Sequence, residues 1–479
     1  MAPGSDKTVG IISIQKEEKR MAEKKNAWLG YSAKEEKELE RLNEAYKEFL
    51  SKSKTERLAA ANVVAEAEKA GFRNLEDLMK EGAKPAPGDR IYAVGMKKTV
   101  ALFVIGQKPL TEGLNILGAH IDSPRLDLKQ VPLYEDTEFA YLDTHYYGGI
   151  KKFQWVALPL ALYGVIAKKD GTVVDVAVGD GENDPVVGIT DILPHLGKDQ
   201  LKKTAAEMID GEKLDVMIGS RPLKDEEKNA VKAQLLKVFK ERYGVEEDDF
   251  ISAEIEVVPA GKARDFGLDR SMVIGYGQDD RVCAYTSFAA LLKSKKPART
   301  SCCLLTDKEE IGSVGATGAQ SMFFENAVAK ILKLMGEPCH LALRDALANS
   351  RMLSSDVSAA YDPMFPETME KKNSAYFGYG VCFNKYTGAR GKSGSNDASA
   401  EYVALVRRIM DDGGVRFQTA ELGRVDQGGG GTIAYISAKY GMNVIDSGVA
   451  VLSMHAPWEV CSKSDIYEAY KAYKAFLEA

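Results

Sequence analysis

The chain of 479 residues has no run of eighteen consecutive apolar residues, so no membrane-spanning helix is predicted. Residues 1–25 are charged throughout and lack the apolar core of a cleaved export signal; the expectation is a cytoplasmic protein with no membrane partner. Dense Lys/Arg blocks are missing as well. The 64 basic residues are set against 70 acidic ones, for a net charge of −6, which argues against a phosphate-tracking surface and a nucleic-acid partner. The six cysteines, Cys283, Cys302, Cys303, Cys339, Cys382 and Cys461, show no C-x-x-C spacing and sit mostly in apolar runs. They read as reduced packing residues, neither a disulfide framework nor a closed zinc site. Internal repeats are absent, and the one biased tract, residues 428–431, reads as a loop of close backbone approach.

What the chain does have is length and alternation. More than one core is expected at this size. Residues 14–82 carry helical periodicity, with Ser32 as an N-cap and Glu35 completing a capping box; this part packs a scaffold and shows no chemistry. Apolar runs at 91–94, 99–105 and 114–119 predict strands, the last ending at His120. Short β segments at 153–160 and 172–178, a charged helical stretch over about 225–243 and an alternating segment at 251–259 then predict an inserted, β-rich domain over 132–258. The larger domain is thereby split into 1–131 and 259–479. From Met272 onward, helical stretches such as 281–292 alternate with apolar strands such as 302–305 and 442–445. The fold class expected is α/β, with a mostly parallel central sheet and helices on both faces. In such sheets the site forms beyond the carboxyl ends of the strands, where His120, Glu309, Glu310 and His455 would all lie.

Five short segments place a metal-type side chain just past an apolar run: Gly118-Ala119-His120-Ile121-Asp122, Asp279-Asp280, Glu309-Glu310, Ser355-Asp356 and Met454-His455. Two imidazoles and several carboxylates suit a pair of divalent ions better than a catalytic dyad. Asp122, two residues after His120 in an extended segment, can hold the outer ring nitrogen of that histidine. Of Asp279 and Asp280, one carboxylate can turn to a metal while the other caps the following helix. Adjacent side chains diverge, so one of Glu309 and Glu310 can ligate while the other acts as general base.

In order and in local text, Gly-Ala-His120-Ile-Asp122-Ser-Pro-Arg-Leu, Asp279-Asp280-Arg281, Asp-Lys-Glu309-Glu310-Ile-Gly-Ser, Ser-Ser-Asp356-Val-Ser and Ser-Met-His455 resemble the aspartyl aminopeptidase and vacuolar aminopeptidase I family of dizinc metallopeptidases. The resemblance spans about residues 90–460. It implies two zinc ions per subunit, with cobalt or manganese as possible substitutes: one held by His120 and Asp356, the other by Glu310 and His455, and Asp279 bridging both. It implies Glu309 as general base and Asp122 as the partner of His120. It also implies that the inserted domain mediates dimerisation, that dimers build a tetrahedral dodecamer, and that His195, in Ile192-Leu193-Pro194-His195, reaches a neighbouring subunit's site. There a neutral N–H could stabilise the developing oxyanion.

The reaction expected is removal of the N-terminal residue from peptides by metal-activated water, with Glu309 taking the proton and passing it to the leaving amine. Lys392, in the region where the family contacts substrate, is a candidate for an acidic P1 side chain or the peptide carboxylate. Residues 426–432 and 454–459 depart from the acidic-residue-specific members, which leaves neutral P1 residues open. Two other readings compete: a cocatalytic metal-dependent N-acyl amide hydrolase or carboxypeptidase, and a non-catalytic assembly protein with structural metals.

Overall fold

The computed structural model describes residues 25–479, and of residues 389 and 390 the backbone alone. The part of the helical expectation that falls on 14–24 lies outside the described residues. No helix among the described residues is long and apolar enough to cross a membrane.

A nine-stranded sheet forms the centre. From edge to edge its strands are Arg73–Asn74, Arg90–Gly95, Thr99–Val104, Ser301–Thr306, Asn115–His120, Arg351–Ser355, Asn443–Gly448, Val381–Asn384 and Phe417–Thr419. The four from Ser301–Thr306 to Asn443–Gly448 are mutually parallel, with Thr306 opposite His120 and Ser354 opposite Gly118; both flanks mix parallel and antiparallel pairs. The central strand Asn115–His120 is buried at every position, as expected for a parallel strand covered on both faces.

Alternate residues feed two cores. Val100, Leu102, Leu117 and Ala119 pack with the helices Ala33–Lys52, Glu56–Lys69, Gln278–Leu291, Ala400–Asp412 and Lys463–Glu478. Ala101, Phe103 and Ile116 pack on the other face with Leu75–Glu81, Phe323–Met335 and His340–Ala348. Ser32 caps its helix, and Glu35 reaches back to the Ser32 N–H at 2.8 Å, the predicted capping box.

A second, six-stranded sheet, ordered Val173–Val178, Leu160–Ala167, Ala253–Pro259, Arg125–Asp136, Phe139–Tyr147 and Val216–Gly219, encloses its own core with the helix Ala230–Tyr243. It begins at Arg125, five residues after His120. The strand expected at 153–160 is not there: residues 152–154 form a 3₁₀ turn, and pairing starts at Leu160. Trp155 is fully buried and Ala157 has φ +59°, so the apolar residues of this stretch fill a core from an irregular loop.

A third sheet departs from the single-sheet expectation. Arg264–Phe266, Met272–Gly275, Glu459–Ser462, Ala450–Leu452 and Ser358–Ala359 form five short strands set apart from the central nine. The chain leaves the central sheet at Gly448, where a Cβ would lie 1.8 Å from the Asp356 carbonyl oxygen, so only glycine permits the crossing. Five cysteines are buried as expected; Cys339, just before the helix His340–Ala348, is exposed.

Asp265 ties the first helix to this third sheet. Its carboxylate lies 2.5 Å from Lys47 Nζ, 3.2 Å from Lys463 Nζ and 2.6 Å from Arg270 Nη2. Burial raises its pKa, but hydrogen bonds from these three cations prevail and hold it at about 2. A depressed carboxylate stabilises the fold above its ordinary pKa of about 3.9 and loses that contribution as pH falls toward 2. Asp265→Asn is expected to lower stability by about 1–3 kcal/mol at pH 7, with the difference narrowing below pH 4. Urea unfolding at both pH values checks this, and an equal difference at pH 7 and pH 3 would contradict it.

Candidate metal centre

His120, the last residue of a central strand, is 2% exposed. Its Nδ1–H donates to the Asp122 carbonyl oxygen at 3.1 Å. A carbonyl can only accept, so the proton sits on Nδ1 and Nε2 faces the site, 3.2 Å from Asp279 Oδ1 and 3.9 Å from Asp356 Oδ1. His455 follows the strand Ala450–Leu452 of the third sheet and is arranged in the same way. Its Nδ1–H donates to the Gly149 carbonyl at 3.0 Å, and its Nε2 lies 3.2 Å from Asp279 Oδ2 and 3.5 Å from Glu310 Oε2. Asp279 therefore presents one oxygen to each imidazole. The ligand atoms of His120, Asp279 and Asp356 converge within 4.8 Å of one another, as do those of Asp279, Glu310 and His455.

Buried carboxylates hold these groups through neutral donors. Asp122 Oδ1 accepts from the Glu309 N–H at 3.1 Å; its Oδ2 accepts from the Glu310 N–H at 3.2 Å and from the Tyr147 hydroxyl at 2.8 Å. Oδ1 also lies 3.3 Å from His120 Nδ1, as the H-x-D spacing predicts. Glu459, on the strand Glu459–Ser462, takes the Asp279 N–H on one oxygen at 3.0 Å and the His455 N–H on the other at 2.8 Å. Asp280 does not cap the helix Gln278–Leu291. Its Oδ2 accepts from the His120 N–H at 3.3 Å, and Asp279 and Asp280 keep non-helical backbone angles at the start of that segment.

Tyr147 and Glu459 hydrogen-bond to the site's groups, and motif reasoning missed both. Glu459 carries a faint signal, an acidic residue in an apolar strand four positions after His455. Tyr147 carries none, since it arrives from the second sheet.

Burial pushes Glu309 up to about 7 and raises Glu310 and Asp356, with neighbouring carboxylates adding to the shift. Burial opposes charge on His455, yet contacts with Asp279 and Glu310 lift it to about 10. His120 is raised for the same reason, by Asp122 and Asp279. Without metal, protonated imidazoles thus donate to Asp279, and protons stand where cations belong. Glu310 Oε1 is buried without a hydrogen-bond partner. Among the described residues, no lysine or arginine lines the adjoining cavity of about 470 Å³. Imidazole nitrogen and carboxylate oxygen without thiolate form a donor set that fits zinc, cobalt or manganese.

The site residues expected from sequence thus meet, except two. His195 is exposed on the loop before residue 200, away from this cavity. Lys392 lines a separate cavity of about 210 Å³, with Nζ 2.9 Å from Asp397 and 3.9 Å from the Tyr386 ring centroid.

A family model described as aminopeptidase I zinc metalloprotease (M18) matches residues 49–477. The chain belongs to the M18 aminopeptidase family. A "Probable M18 family aminopeptidase 1" from Clostridium acetobutylicum is 60% identical over 458 residues, covering 95% of this chain and 98% of that one. The crystal structure of an M18 aminopeptidase from Thermotoga maritima superposes with a TM-score of 0.91 at 45% identity, over 95% of this chain and 99% of the other. The fold extends to the mApe1 dodecamer of Saccharomyces cerevisiae, with a TM-score of 0.72 at 21% identity over 90% and 95% of the two chains. This M18 chain is a zinc metalloprotease that acts as an aminopeptidase.

Proton displacement by metal is directly measurable. Zinc uptake by the metal-free M18 enzyme at pH 7.5 is expected to release at least about two protons per subunit. Calorimetry in buffers of different ionisation enthalpy reads that number, and uptake without release would contradict the protonated imidazoles described here.

Proposed function

We propose that this aminopeptidase works with two zinc ions per subunit, one held by His120 and Asp356, one by Glu310 and His455, with Asp279 between them. The observation that carries the reading is the pair of imidazole Nε2 atoms, each turned inward by a carbonyl on Nδ1 and each 3.2 Å from a different oxygen of Asp279. Zinc bound there would polarise the scissile carbonyl and acidify the attacking water.

Glu309 is the general base. Its side chain reaches the site with Oε2 3.9 Å from His120 Nε2, and its backbone is held by Asp122. It takes the proton from water and delivers it to the leaving amine. Cations nearby would lower its pKa from about 7 toward the ordinary carboxylate range, leaving it ionised and ready to accept. Asp122 and Glu459 position these groups without touching the substrate.

Among the described residues, the part of the cavity lined by Val357, Asn384, Thr387, Leu422, Gly429 to Gly431 and Tyr435 offers no cation to an acidic side chain. A neutral P1 residue is therefore the preferred one. Lys392, engaged with Asp397, does not contribute to that pocket.

His195 is assigned to a neighbouring subunit's site, in keeping with its exposed loop flanked by Ile192, Leu193 and Leu196. The six-stranded sheet, covering the expected 132–258 domain, is assigned to dimerisation, with the tetrahedral dodecamer as the assembly built from such dimers. The mostly parallel centre of the nine-stranded sheet is the platform for the catalytic site, and the cytoplasm is the expected compartment.

Glu309→Gln is expected to retain zinc and lose about 10³-fold or more in kcat; near wild-type turnover would remove Glu309 from the base role. On unblocked aminoacyl p-nitroanilides, Leu and Met substrates are expected to exceed Asp and Glu by at least about tenfold in kcat/KM. A preference for the acidic pair would refute the uncharged pocket.

A further inference from the structure

We propose that Tyr147 is a positioning residue for the metal centre, and that the segment Tyr147-Gly148-Gly149 lets the six-stranded sheet set the orientation of both metal-facing imidazoles. The inference rests on the ligand assignment above and extends it to a residue outside the five motifs.

Tyr147 ends the strand Phe139–Tyr147, whose neighbours are Arg125–Asp136 and Val216–Gly219. Its hydroxyl donates to Asp122 Oδ2 at 2.8 Å. Asp122 is fully buried and accepts three hydrogen bonds, two from the backbone of Glu309 and Glu310 and one from this phenol. All three donors are uncharged, so Asp122 keeps its negative charge for the imidazole of His120. The phenol is the one side-chain donor among them, and so the one that comes from a different sheet.

The ring cannot swing away. The Arg125 guanidinium lies 3.8 Å from its centroid, and Arg125 is held in turn by Asp127 at 2.8 Å, Glu256 at 3.1 Å and Glu56 at 3.4 Å. Those partners come from the second sheet and from the first turn of the helix Glu56–Lys69. The ring is therefore registered against the scaffold on the side away from the site.

Two residues later the same segment touches the site again. The Gly149 carbonyl accepts from His455 Nδ1, and a Cβ at Gly149 would lie 3.3 Å from that nitrogen. At Gly148, with φ +75°, a Cβ would lie 3.4 Å from Glu310 Cβ. Small residues thus bring the backbone against one imidazole directly, while Tyr147 reaches the other through Asp122. Removing the hydroxyl would leave Asp122 Oδ2 with one donor and free the carboxylate to turn. The backbones of the ligand Glu310 and the base Glu309 would loosen together.

The test is Tyr147→Phe in the full-length enzyme, with Tyr163→Phe as control. Tyr163, on the strand Leu160–Ala167 of the same sheet, donates to Asp180 beyond that sheet's strands and does not line the cavity. Three readouts are taken: kcat and KM, zinc retention against a competing chelator, and the visible absorption of the cobalt-substituted protein. Tyr147→Phe is expected to lower kcat and zinc affinity by about 10- to 100-fold each, to leave KM within about twofold, and to alter the cobalt bands. The control should match wild type in all three.

Wild-type values for kcat, zinc retention and spectrum would overturn the proposal. So would an equal fall in melting temperature of the metal-free and zinc-loaded forms with spectrum and retention unchanged, because that is a packing effect alone. If Tyr147→Phe does not fold, Gly149→Ala takes its place: changed cobalt bands support the segment's role, and wild-type bands overturn it. A wild-type protein that binds no cobalt would instead remove the ligand assignment itself.

Discussion

A largely buried carboxylate between two imidazoles sets the terms for everything around it. Asp279 is 3% exposed, and among the described residues no lysine or arginine lines the cavity it faces. Glu309, Glu310 and Asp356 add further carboxylates to the same small volume. Buried charge of one sign is costly unless it is countered, and here the counter-charge is a cation or, in its absence, protons on His120 and His455. The surrounding residues preserve that imbalance. Asp122 and Glu459 are satisfied by backbone N–H groups and a phenol, which orient without neutralising. Had arginines taken those places, the centre would be closer to neutral and its hold on a divalent ion weaker.

The fold builds this arrangement by bringing three sheets to one point. The central sheet delivers His120, Asp356 and the glutamate turn from the carboxyl ends of adjacent parallel strands, whose register fixes their separation. The third sheet delivers Asp279 and His455 on either side of Glu459, so one carboxylate coordinates two loops. The second sheet supplies the outer contacts through Tyr147 and Gly149. Because each imidazole is clamped at its outer nitrogen by a carbonyl from the chain, tautomer and ring orientation are set before any ion arrives. Preorganisation of that kind would let the proposed general base, Glu309, act from a fixed distance.

Much of this was legible in the amino-acid order. His120, Asp279, Glu310, Asp356 and His455 stand just past apolar runs, and those runs did become strand ends, because a buried strand must be apolar and must stop where polar chemistry begins. The H-x-D spacing gave the Asp122 contact for the same reason, since extended residues two apart share a face. The capping box at Ser32 and Glu35 was local, and local chemistry is readable. The run at 153–160 was misread because apolar residues filling a core from a loop carry the same composition as a strand. Asp280 was misread because its partner, the His120 N–H, is 160 positions away.

Composition and periodicity, then, were enough to give the α/β class and the order of the five segments that carry metal-type side chains, since these follow from burial and from side-chain chemistry carried by each residue. Left to the folded chain were the division into three sheets, the turning of each Nε2 toward a different oxygen of Asp279, and the reach of Tyr147 and Glu459 into the site. Those are matters of distance between segments far apart in the chain, and pairing between distant segments is decided by packing and register, which no local pattern encodes.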